Sequence, residues 1–331
     1  MNAPPGYPWH TGPWRRIASA RAAGRLPHAI LLAGPQGLGK ADFARRLSDS
    51  LVCSHADSNG DACGACASCR LTRAGNHPDQ RFILPEEAGK MIKIDAIRDL
   101  TAKSVLSAQE GGYRVFLIDP AEAMNRAAAN ALLKTLEEPV SRSVLILVSS
   151  HPHRLAATIR SRCQLIKFTI PAVSAVRAWL NERVEASRLD ELLAISGGAP
   201  LRALRAMDEG WVEEGRRLGD ELAALKQRKI NPLQIVEEWE KRPLTLLLDS
   251  LKRCLSDLVR LASGLPDGVI YHPGLRNDLQ SLGQGIDLGL LYGFYDELLG
   301  LDRASSRNLN VQMLLENIAN RWLQITRPGV H

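Results

Sequence analysis

The 331-residue chain has no apolar run that approaches the ~18 residues of a membrane span. Its opening, MNAPPGYPWHTGPW, lacks the basic start and the apolar stretch of a signal peptide. A cytoplasmic protein with no membrane partner is therefore expected. No long block of a single charge sign, internal repeat or low-complexity tract is present, so most of the chain should be folded. The hydrophobic content of 45% is ample for real cores, and the length suits two or three domains. A net charge of +6 permits an anionic partner without requiring one.

Cysteine is scarce and unevenly placed. Of six cysteines, four fall in the stretch CSHADSNGDACGACASC, at Cys53, Cys63, Cys66 and Cys69. In a reducing compartment such a cluster reads as a metal site rather than a disulfide framework. Two overlapping C-x-x-C steps let thiolates reach one ion from a tight turn, and a fourth thiolate closes a tetrahedral shell. A closed shell leaves no position for water, so structural zinc is expected. A redox C-x-x-C pair is the rival reading, but it would not need four cysteines.

Another absence lies in GPQGLGKADFA, residues 34–44. A phosphate loop reads Gly, four residues, Gly-Lys, then Ser or Thr. Gly34, Gly39 and Lys40 stand in place, with Gly37 between them, but Ala41 occupies the hydroxyl position. That hydroxyl normally ligates the Mg²⁺ that bridges the terminal phosphates. The context is otherwise right: AILLA (29–33) reads as a buried strand, and ADFARRLSDSLVC as the helix whose N-terminal amides would face phosphate. RVFLID (114–119) and SVLILVSS (143–150) read as two more buried strands, and AEAMNRAAANALLKTLEEP as a helix that stops at Pro139. Strands alternating with helices predict a parallel α/β sheet. Asp119, at a strand's carboxyl end, is where such proteins place an acid that organises Mg²⁺.

NALLKTLEEP (130–139), a strand ending in paired serines, and TIRSRC (158–163) resemble the bacterial clamp-loader ATPase family. The cysteine module after the phosphate-loop helix, YPW (7–9) and HPD (77–79) belong to the same resemblance. It covers the whole chain, with specific motifs only up to about residue 205. It implies an AAA+ module over residues 1–170, with the zinc module at 53–69, then a helical lid over 171–208 and an all-α collar over 209–331. The implied function is that of a clamp-loader subunit of a replicative DNA polymerase holoenzyme. Such a subunit helps to load the sliding clamp onto primed DNA from a hetero-pentameric ring of related subunits.

Set against that family, three parts needed for hydrolysis are missing together. Ala41 replaces the hydroxyl, and Pro120 stands where the second acid of a pair would polarise water. In the lid, GAPLRAL (198–204) places Leu201 where an arginine would reach the nucleotide. Arg202 comes one place late, about 100° round a helix. Gly34, Gly37, Gly39, Lys40 and Asp119 thus form a degenerate site that is compatible with ATP or ADP binding but not with independent ATPase activity. Arg162 of SRC matches the family's arginine finger, which acts in trans on a neighbour's phosphates. The plain alternative is an exposed arginine in a surface ion pair. Arg98, Lys103 and Lys134 lie on candidate helices and are weak candidates for DNA phosphate contact. A competent AAA+ ATPase and a nucleotide-independent DNA-binding adaptor stay open as alternative functions.

Overall fold

The computed structural model describes residues 6–87, 89–104, 112–264, 270–304 and 310–327. Leu309 and the Lys103 side chain lie outside the described residues. The chain divides into two compact units, residues 1–175 and 176–331.

Unit 1 is built on a five-stranded parallel sheet: β1 (Ala29–Ala33), β2 (Gln80–Ile83), β3 (Arg114–Ile118), β4 (Ser143–Ser149) and β5 (Gln164–Lys167), in the order β2-β3-β4-β1-β5. All five residues of β1 and of β3 are buried, which is why β1 and residues 115–118 of β3 appear in the sequence as continuous apolar runs. Helices of unit 1 are α1 (Thr11–Ala22), α2 (Lys40–Val52), α3 (Ala67–Arg73), α4 (Ile94–Ser104), α5 (Arg126–Glu137) and α6 (Ala157–Arg160).

The period-2 alternation of each strand sorts its side chains between two faces. Leu31 of β1, Phe116 and Ile118 of β3 and Leu147 of β4 share a core with Ile97 and Leu100 of α4, Leu132 and Leu136 of α5 and Ile159 of α6. Helix α2 packs against β1, β3 and β4, burying Phe43, Leu47 and Leu51. Each such side chain contributes roughly 1.5–3 kcal/mol by leaving water.

Helix α5 starts later than its composition suggests. Residues 121–123 form a single 3₁₀ turn, and Asn125 then caps the helix by accepting from the amide of Ala128. An Asn cap satisfies one of the free amides of the first turn, so it outweighs the alanine-rich propensity upstream.

Unit 2 is helical. It is entered through α7 (Val173–Leu180), which straddles the boundary. Helices α8 (Leu189–Ile195) and α9 (Pro200–Asp208) follow, then α10 (Trp211–Lys226), α11 (Pro232–Glu240), α12 (Leu244–Ala262), α13 (Arg276–Gly283), α14 (Leu288–Ala304) and α15 (Val311–Ile325). Val176, Leu180, Leu192 and Ala203 gather around Trp211 in one cluster. A second, larger cluster joins α10 to α15 around Trp239 and Trp322, both fully buried. Their indole N–H groups are satisfied: Trp239 donates to Glu221 at 2.9 Å and Trp322 to the Leu222 carbonyl at 2.9 Å. Among the described residues, no helix is long and apolar enough to cross a membrane.

Candidate functional site: a degenerate phosphate loop, a four-cysteine knuckle and an exposed arginine

Because the strands are parallel, their carboxyl ends share one edge of the sheet, and loops that are distant in sequence meet there. The glycine loop follows β1, Asp119 follows β3 and Ser150 follows β4. Two glycines in the loop are required by space. A Cβ on Gly34 would lie 2.1 Å from the carbonyl oxygen of Phe168. Gly39 has φ +72°, and a Cβ there would meet the Tyr7 ring at 2.5 Å.

The segment preceding α1 packs onto this loop. Trp9 Nε1 and His10 Nε2 both lie within hydrogen-bond reach of the Leu38 carbonyl, at 3.0 and 2.7 Å. A carbonyl only accepts, so His10 carries its proton on Nε2. Burial pulls the pKa of His10 below its ordinary value. Tyr7 stacks on Trp9 and donates its hydroxyl to Asp42 at 2.9 Å, and His10 sits edge-on to Phe43 and Phe168.

Lys40 opens α2 and is buried. Its ammonium donates to the Pro35 carbonyl at 2.7 Å and to the Ser150 hydroxyl at 3.1 Å. Burial brings its pKa down to about 8, against the opposing pull of Glu122 and Asp119. Burial likewise raises the pKa of Asp119. Ala41, next to Lys40, offers no oxygen to a cation.

Glu122 was not legible as a site residue in the sequence. Its Oε1 accepts from the amides of Ser150 at 2.9 Å and His151 at 3.1 Å, while Oε2 is buried without a partner. Burial opposes its ionisation, but the surrounding hydrogen-bond donors outweigh that and hold its pKa below the ordinary carboxylate value. The available signal was its spacing, three residues beyond Asp119, in the middle of the 3₁₀ turn.

The cysteines do come together. The Sγ atoms of Cys53, Cys63, Cys66 and Cys69 all lie within 4.8 Å of one another, with Cys53–Cys66 and Cys63–Cys69 both at 3.9 Å. A tetrahedral thiolate shell with ~2.3 Å metal–sulfur bonds separates its sulfurs by ~3.8 Å, so four donors of this chemistry and spacing fit a metal ion. Backbone amides already point at sulfur: Cys63 and His55 donate to Cys53, Cys66 to Cys63, and Cys69 to Cys66. Burial resists ionisation of Cys66, but these amides and neighbouring thiols prevail and bring its pKa to about 6. Burial drives Cys69 and Cys53 the other way.

A buried polar chain ties this knuckle to the sheet. The amide of Asp79 donates to His77 Nδ1 at 3.1 Å, so His77 Nε2 bears the proton and donates to Ser68 Oγ at 3.0 Å. That tautomer cannot take a proton from Ser68, so the Ser68–His77 pair is no nucleophile–base couple. Arg114 of β3 then pairs with the Asp79 carboxylate at 2.9 Å, fully indoors.

Arg162 lies in the turn after α6. Its Nη1 donates to the Thr158 carbonyl at 3.0 Å, and its Nη2 is 2.7 Å from Glu137 Oε1. The side chain keeps 37% of its surface exposed. Arg202, in unit 2, lies over the ring of Trp211, 5.3 Å from its centroid. Arg98 is exposed beside Asp95 at 3.6 Å, and Lys134 is exposed on α5.

Residues 9–172 match the family model described as DNA polymerase III, delta subunit, and residues 210–324 match its C-terminal counterpart. The DNA polymerase III subunit delta-prime of Pseudomonas aeruginosa is 37% identical over 98% of this chain and 99% of its own length. The delta-prime subunit of Haemophilus influenzae is 33% identical over 77% of each chain. The tau subunit of Bacillus subtilis is 30% identical over 81% of this chain and 50% of its own. Among solved structures, a gamma-subunit-related protein of Thermotoga maritima aligns with 96% of this chain and all of its own, at 18% identity and a TM-score of 0.44. The full-length match to the Pseudomonas subunit and the two family matches place the chain in the delta-prime subunit family of DNA polymerase III.

Proposed function

We propose that this clamp-loader subunit does not hydrolyse ATP itself and instead lends Arg162 to the ATP site of a neighbouring subunit, within a hetero-pentameric ring that places the sliding clamp on primed DNA. One contrast carries the reading. The Lys40 ammonium is buried in its own loop beside Ala41, whereas Arg162, although it also contacts Thr158 and Glu137, is exposed to solvent on a turn. Hydrolysis needs a Mg²⁺ ligand and an oriented water as well as a charge on the phosphates. Ala41 and Pro120 supply neither. A guanidinium offered from outside is different: it stabilises charge on the transferring phosphoryl group and needs no intact loop of its own.

Nucleotide binding by Gly34, Gly37, Gly39, Lys40 and Asp119 is compatible with this role, with ATP or ADP held but not turned over. Structural zinc on Cys53, Cys63, Cys66 and Cys69 completes the cofactor set. The three-part division at residues 170 and 208 is proposed alongside: nucleotide-binding-like module, lid and collar. ATP turnover by the purified chain tests the reading: none is expected, and steady hydrolysis lost on Lys40→Ala would overturn it.

A further inference from the structure

Glu137 is the last residue of α5, and Arg162 follows α6. Their side chains form an ion pair at 2.7 Å, with the guanidinium also held by the Thr158 carbonyl at 3.0 Å. A pair of exposed charges by itself signals little. Here, however, the two elements that carry it are docked into one core. Leu132 and Leu136 of α5 and Ile159 of α6 belong to the same buried cluster under the sheet. Glu137 therefore stands one residue beyond a buried leucine, on a helix packed into the same core as the short helix that precedes Arg162. The carboxylate is itself open to solvent, with 51% of its surface exposed, so it satisfies no buried demand of the fold.

A free arginine samples many rotamers, and a finger must select one of them to meet a phosphoryl group across an interface. Fixing the guanidinium plane beforehand removes that ordering from the encounter. A guanidinium carries five N–H donors in a rigid plane, so contacts to Thr158 and Glu137 leave donors for phosphate oxygens. We propose that Glu137 is the positioning residue of Arg162, presenting its guanidinium in one orientation to the neighbouring site. This rests on the reading of Arg162 as a finger. Glu137 touches no phosphate in this role and acts only through Arg162.

The test uses complexes rebuilt from all clamp-loader subunits, with the clamp and primed DNA, measuring clamp-loading rate and the kcat and KM of ATP hydrolysis. Glu137→Ala is expected to slow loading roughly three- to tenfold, lowering kcat with KM unchanged. Glu137→Gln, which keeps an acceptor oxygen at the same reach, should restore most of the rate. Adding Glu137→Ala to Arg162→Ala should cost nothing further, because the residue that Glu137 positions is gone. Wild-type loading by Glu137→Ala where Arg162→Ala is impaired, or losses that add in the double variant, would overturn the role of Glu137 alone. Wild-type rates for Arg162→Ala in fully assembled complexes would instead remove the finger reading, and this inference with it.

Discussion

The ammonium of Lys40 donates to the carbonyl oxygen of Pro35, five residues earlier in its own loop, at 2.7 Å. A phosphate-loop lysine is useful because its charge reaches outward to phosphate. This one is buried and tied to its own loop and to Ser150, with Glu122 and Asp119 supplying negative potential nearby.

That burial has a pH signature. The pKa of Lys40 falls from the ordinary 10.5 to about 8 in the folded chain, so the unfolded chain holds the proton more tightly. Where the unfolded state binds more protons, stability rises with pH, so this group adds stability as pH climbs from about 8 towards 10.5. Urea denaturation of wild type and Lys40→Met across that window should show the wild type gaining on the variant. A constant difference would contradict the burial of the charged amine.

The knuckle should hold one zinc per chain, bound by four sulfurs at ~2.3 Å. Elemental analysis of protein purified without chelator, with X-ray absorption to count the sulfurs, checks this. Cys66→Ser should abolish stoichiometric zinc and loosen residues 53–69, with the sheet still folded. Metal-free wild-type protein with four reactive thiols would count against the site.

His77 links the knuckle to the sheet through Ser68 and Asp79, and its side chain is nearly fully buried. His77→Ala would strand a buried hydroxyl and a buried amide and leave a void. The expected loss is about 2–4 kcal/mol of unfolding free energy. Zinc content should be unchanged, because no ligand is touched. A thermal midpoint equal to wild type would show that the link is dispensable.

Two glycines one turn apart on α10 should respond in opposite directions. A Cβ on Gly215 would fall 2.3 Å from His272 Nε2, and His272 is held in place by Asp257 at 2.8 Å. A Cβ on Gly219 meets nothing within 4 Å. Gly219→Ala should therefore stabilise the helix by up to about 1 kcal/mol, whereas Gly215→Ala should destabilise unit 2 by about 1–3 kcal/mol. Chemical denaturation of both variants decides it, and equal shifts would refute the packing described.

Local chemistry made part of this molecule readable in advance. The strand AILLA, the loop and helix after it and the four cysteines each carry their signal within a short window. Strands β2 and β5 did not. Each is a four-residue sheet edge with two or three exposed positions, so neither shows a continuous apolar run. The packing of Tyr7 and His10 on the loop, the Glu122 contacts to Ser150 and the Glu137–Arg162 pair were equally invisible. Such contacts arise when distant segments converge, and no local periodicity encodes them. Arg162 stood in a recognisable motif and Glu137 in another, NALLKTLEEP, but nothing local joins the two.

The most direct measurement is DNA-stimulated ATP hydrolysis, together with clamp loading, by complexes rebuilt with Arg162→Ala or Arg162→Lys. Arg162 is exposed, so neither change should move the thermal midpoint of the isolated chain by more than about half a kcal/mol equivalent. In the complex, turnover should fall by the share that one interface contributes, and loading should fall further if the sites act together. Lysine should be nearly as damaging as alanine, since an ammonium lacks the planar fork that spans phosphate oxygens. Wild-type turnover and loading by both variants, in complexes shown to be fully assembled, would contradict a finger supplied by this subunit.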